Sequence, residues 1–200
     1  MRGLTVVEIA CLVVVVLVAA AAVVVLMPHD GPHDHRGAEC MDNVHNLVGL
    51  LEYAIPTKIY PDLAGVNLIL WLTIRGELGD EDSLNILFCP VDTKESLAKA
   101  GGPKAYVGLD LTRRGHDFLT SYAGRDLRRS GCFARPRSDK NVVLICDDSE
   151  DHHESGFVVG LTGGSVKFRH KVDDWGLQAK TPVVVGRKSV VAELRCLRKD

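Results

Sequence analysis

The residues best suited to chemistry are thiols, carboxylates and imidazoles. Six cysteines stand at Cys11, Cys40, Cys89, Cys132, Cys146 and Cys196. No two of them form a Cys-x-x-Cys pair, so a zinc ribbon or a thioredoxin-like centre has no support. The run Asp147-Asp148-Ser149-Glu150-Asp151-His152-His153-Glu154 is dense in oxygen donors. Such a loop suits Ca²⁺, with Asp147, Asp148, Glu150 and Asp151 as ligands, although EF-hand spacing is absent and a solvated loop explains the same composition. His29, Asp30, His33, Asp34 and His35 could bind a transition metal, or simply form a polar spacer. His116-Asp117 and Ser121 offer acid–base and nucleophilic groups. There is no Gly-x-Ser-x-Gly elbow, and a Ser/His/Asp set can be assembled from almost any chain of this length. The sequence reads as non-enzymatic and without a cofactor.

One carboxylate stands apart. Glu8 adjoins a run, Ile9 to Met27, that contains no charged residue and is almost wholly Val, Ala and Leu. Those nineteen residues would span roughly 28 Å as a helix, close to the hydrocarbon thickness of a bilayer. A cleaved signal peptide is the alternative, but its apolar region is usually about 7–15 residues. A lipoprotein signal centred on Cys11 is disfavoured by Glu8 three residues before it. An ionised Glu at this depth is costly without a partner. Arg2 and the short N-terminus favour a cytoplasmic start.

The block Gly3-Leu4-Thr5-Val6-Val7-Glu8, followed by the apolar run, resembles the processing site of type IV prepilins and type II secretion pseudopilins. The resemblance implies cleavage after Gly3 by prepilin peptidase, methylation of the new amine on Leu4, and an assembly role for Glu8. A buried carboxylate needs a cation, and the amine of an adjacent subunit can supply one as helices stack. The string Cys40-Met-Asp-Asn43-Val-His-Asn-Leu47, then Phe88-Cys89-Pro90 and Ser121-Tyr122-Ala123, resembles a large group of planctomycete-type prepilin-like proteins. In that group the later hairpin reads His-x-Gly-Gly and then Asp-Gly-Ser-Val. Here His153-Glu-Ser-Gly156 and Gly163-Gly164-Ser165-Val166 stand in, and the Asp is lost. Some secretion pseudopilins carry calcium in a comparable loop, which adds to the reading of Asp147 to Asp151.

The elements follow from pattern. Pro28 to Gly37, with two prolines and two glycines flanking its histidines, reads as a linker where typical pilins run on as one helix. Met41, Val44, Leu47, Val48 and Leu51 recur at helical spacing, and Ile55-Pro56 ends that helix. Ala64 to Ile74 reads as a short buried helix, and Gly76 to Asp82 as an acidic loop. Asn141 to Cys146 is a central-strand run. Phe157–Leu161 and Ser165–Phe168 flank Thr162-Gly163-Gly164 as a hairpin. The tail from Pro182 to Leu197 adds a strand or packs on the sheet.

The fold class is therefore α+β, in three parts: leader and transmembrane helix 1–27, linker 28–37, and an extracytoplasmic pseudopilin-like domain 38–200. The expected place is a bacterial inner membrane, single-pass, N-terminus cytoplasmic and C-terminal domain periplasmic. The expected partners are the membrane, prepilin peptidase and other pilin or pseudopilin subunits. A net charge of −2 without a basic stripe gives no reason to expect nucleic acid. A compartment outside the cytoplasm permits disulfides. Cys40–Cys89 is the expected bridge and Cys132–Cys146 the second, which leaves one outer thiol over. The rival function is a single-pass anchored binding domain with no filament role. A third is an extracytoplasmic enzyme using the His/Asp loop.

Overall fold

The computed structural model describes residues 34–55, 61–92, 96–113, 115–132, 141–147, 153, 155–178 and 180–199. The anchor expected over Met1–Met27, with Gly3, Leu4 and Glu8, lies outside them. Among the described residues no helix is long and apolar enough to cross a membrane.

Helix α1 runs from Asp34 to Ala54. The expected stripe forms its buried face: Cys40, Val44, Leu47, Val48 and Leu51 are fully buried, and Met41 packs against them half-buried. The linker expected over Pro28–Gly37 is corrected at its far end, because Asp34–Gly37 belongs to this helix. A single helical glycine costs only about 1 kcal/mol against alanine, which the packed face beyond it outweighs. Helix α2, Val66–Ile74, is the buried apolar segment. A short α3, Glu81–Asn85, starts where Asp80 and Ser83 cap each other reciprocally. A one-turn α4, Ser96–Lys99, follows.

Five strands form one antiparallel sheet: β1 Tyr122–Arg125, β2 Val143–Asp147, β3 Gly156–Leu161, β4 Val166–His170 and β5 Leu197–Arg198. Their order is β4-β3-β2-β1-β5. The β3–β4 hairpin turns at Gly163 and Gly164, whose φ values of 86° and 85° suit glycine. The fold is α+β, and residues His35–Asp200 form one unit.

Strands β1, β2 and β3 are buried throughout, on both faces of the sheet. One face meets the helices, in a core that joins Val44, Leu47 and Ile69 to Tyr122, Ile145 and Val158. The other face is closed by the tail: Val183, Val191, Leu194 and Leu197 pack on Ala123, Val143, Cys146, Phe157 and Val159. The tail thus does both things expected of it, adding β5 at the edge and covering a face.

A register shift interrupts β2. Val143 faces Leu161 but Ile145 faces Gly160, so β2 uses one residue more than β3. Leu144 and Ile145 therefore both join the helix-side core, while Val143 and Cys146 lie on the tail side. Beyond the bulge the phase is reversed, and Asp147 turns toward the helices.

The second expected bridge is corrected. Cys132 is joined to Cys196, with Cα atoms 5.3 Å apart. Cys146 is a free, fully buried thiol on the tail side of β2. The turn after β1 lies against the tail: Asp126 N–H donates to Cys196 O at 2.8 Å, and Arg129 Nη1 donates to Arg195 O at 2.8 Å. That contact brings Cys132 to Cys196.

Candidate metal centre

Cys40, Cys89, Asp147 and His153 meet inside the helix-side layer, with one donor atom from each lying within 4.8 Å of all the others. Cys40 opens the buried stripe of α1. Cys89 sits in a turn closed by Asp92 N–H donating to Cys89 O at 2.9 Å, with Pro90 next in the chain. That turn is pinned from several sides. Asn43 Nδ2 of α1 donates to Phe88 O at 3.0 Å. Thr120 Oγ1 and Ser121 N–H both donate to Leu87 O, at 2.6 and 3.0 Å. Ser121 Oγ donates to Asp92. Asp147 ends β2 with its phase set by the bulge. His153 precedes β3, where its carbonyl accepts from Gly156 N–H and its ring meets the edge of Phe168.

All the ligand-type side chains are buried; His153, the most open, is 8% exposed. The contacts converge on one oxygen. Asp147 Oδ2 lies 2.9 Å from His153 Nε2, 3.2 Å from Cys40 Sγ and 4.0 Å from Cys89 Sγ. His153 Nε2 is also 3.7 Å from Cys89 Sγ. The Tyr122 hydroxyl stands 3.7 Å from Cys40 Sγ.

Protonation follows from this crowding. A hydrogen bond to Cys89, then burial, pushes the Cys40 thiol up. The same hydrogen bond from Cys40 brings the Cys89 thiol down to about 6, against its burial. Burial alone would lower the His153 imidazole, but hydrogen bonds to Asp147 and Cys89 outweigh it and raise it to about 9. Burial, then the nearby Cys40, raises Tyr122 well above the usual phenol range.

A reduced Cys89 beside a charged His153 resembles a nucleophilic dyad. A Cys-His-Asp triad, however, uses the two imidazole nitrogens for different partners. Here thiol and carboxylate both face Nε2, as ligands around one centre do.

Of the other residues singled out in the sequence, Ser121 braces the Cys89 turn, and His116 stands elsewhere. His116 Nδ1 donates to Asn67 Oδ1 at 2.9 Å, and Asn67 Nδ2 donates to Leu111 O and Arg113 O, so this histidine anchors a loop. Asp148, Glu150 and Asp151 lie outside the described residues. Among the described residues Asp147 meets two thiols and an imidazole. The expected Cys40–Cys89 bridge is not formed: both thiols are free and buried, and each turns to Asp147 or His153 as well as to the other. The sequence pairs Cys40 with Cys89 and carries Asp147 and His153 in one acidic run, and no spacing signals that the two pairs converge.

Compared with family models, curated proteins and solved structures, the chain matches none.

Proposed function

We propose that this chain is a membrane-anchored, non-enzymatic prepilin-like subunit, cut after Gly3 by prepilin peptidase and taking part in a type IV pilus or type II secretion pseudopilus. The reading is carried by one observation, the block Gly3-Leu4-Thr5-Val6-Val7-Glu8 placed directly before an uncharged apolar run ending at Met27. The chain would sit in a bacterial inner membrane with its α+β domain on the periplasmic side. A long helix laid on a small antiparallel sheet is an architecture compatible with that reading. The interruption at Pro28, Gly31 and Pro32 sets it apart from a pilin with one continuous helix. Glu8 would pair with the freed amine of a neighbouring subunit, which offsets the cost of a carboxylate in the bilayer.

The N-terminal mass of the mature protein tests this. In cells with active peptidase, loss of Met1 to Gly3 and a methyl group on Leu4 are expected; an intact Met1 refutes the proposal. Gly3→Ala is expected to block cleavage, whereas Glu8→Ala is expected to be cleaved but to fail in assembly.

A further inference from the structure

We propose that Cys40, Cys89, Asp147 and His153 bind one Zn²⁺ as a closed structural site. This does not depend on processing of the N-terminus. Zinc holds sulfur at about 2.3 Å and imidazole nitrogen or carboxylate oxygen at about 2.0–2.2 Å, tetrahedrally. The edges of such a tetrahedron are then about 3.5 Å between sulfur and a nitrogen or oxygen, and about 3.3 Å between nitrogen and oxygen. The observed edges are 3.2 and 4.0 Å from Asp147 to the thiols, 3.7 Å from His153 to Cys89, and 2.9 Å between His153 and Asp147. All four donor atoms lie within 4.8 Å of one another, so side-chain adjustment of up to about an ångström would centre an ion among them.

The donor set selects the metal. Calcium wants six to eight oxygens, whereas among the described residues this cluster presents one carboxylate beside two thiols and an imidazole. Paired thiolates with an imidazole and a carboxylate suit zinc. Four buried protein ligands would fill a tetrahedral zinc, which is the structural kind of site. Coordination would displace the remaining thiol proton and the imidazolium proton to solvent, leaving two thiolates and a neutral His153 on the ion. The ion would then bind α1, the Cys89 turn, the end of β2 and the approach to β3 to one another. A buried carboxylate and thiols that would otherwise share hydrogen bonds would instead share a cation.

The test uses full-length protein prepared with thiols reduced and without chelator. About one equivalent of Zn²⁺ per chain is expected by elemental mass spectrometry. After removal of that metal, Co²⁺ is expected to give a thiolate-to-cobalt charge-transfer band and the strong visible absorption of a tetrahedral site. Both are expected to be lost in Cys89→Ser and weakened in Asp147→Asn. A cobalt complex without thiolate bands overturns the proposal, as does uptake of calcium in place of zinc. So does peptide mapping of the native protein that finds Cys40 joined to Cys89, or metal uptake unchanged in the variants. Should a variant fail to fold, the wild-type cobalt spectrum decides the matter by itself.

Discussion

Val48 of α1 occupies the space that a side chain at Gly160 of β3 would need. A Cβ built there would fall inside the envelopes of Val48 and its neighbour Val44. The helix can lie this close to the sheet only because position 160 is bare. The same close approach carries Cys40, one turn earlier on α1, down to the level of Asp147. Gly160→Ala is therefore expected to lower stability by about 1–3 kcal/mol through overpacking. Urea unfolding measures it, and an unchanged midpoint would show that α1 can lift away freely.

The Cys132–Cys196 bridge gives a second expectation. It closes a loop across a sequence separation of 64 and ties the turn after β1 to the start of β5. Cys132→Ser combined with Cys196→Ser is expected to cost about 2–4 kcal/mol. The denaturant midpoint of the native chain should fall on reduction, while that of the double variant should not respond. A wild-type midpoint indifferent to reductant would place the bridge elsewhere.

Tyr122 supplies a third. Its hydroxyl, close to Cys40 Sγ, is placed to donate a hydrogen bond to the thiolate once a metal is bound. Hydrogen-bond partners of a metal-ligating atom are worth roughly 10–100-fold in metal affinity. Tyr122→Phe keeps the buried ring and is expected to weaken zinc binding by that factor in a competition titration. An unchanged affinity would remove Tyr122 from the site.

Much of the scaffold was legible in the sequence because it follows simple periods. The stripe from Met41 to Leu51 has helical spacing, and Val44, Leu47, Val48 and Leu51 are buried as read, with Cys40 fully buried in place of Met41 at its start. Thr162-Gly163-Gly164 marks its hairpin because glycine suits the positive φ found there. The buried segment ending at Ile74 was read in place, as α2. The bulge was not legible. Strict alternation along Val143 to Asp147 would put Cys146, not Asp147, on the helix side. Only pairing with β3, at Leu161 and Gly160, reveals the shift. The disulfide partners were hidden for a similar reason. Cys146 is nearer to Cys132 in sequence, yet strand direction buries it on the tail side of β2 while Cys196 lies against the turn. The four-ligand cluster joins residues from Cys40 to His153, and that convergence is a property of the packed layers, not of any local pattern.

The sheet is closed on its second face by the stretch from Val183 to Leu197, and β1 gains its outer neighbour only at Leu197–Arg198. A chain delivered N-terminus first, from a ribosome or through a translocation pore, therefore exposes Ala123, Cys146, Phe157 and Val159 until nearly the last of these residues has emerged. The tail-side layer of the core is thus completed only once the stretch from Val183 to Leu197 has been delivered. Until then the far face of the sheet is the surface that a chaperone would have to shield.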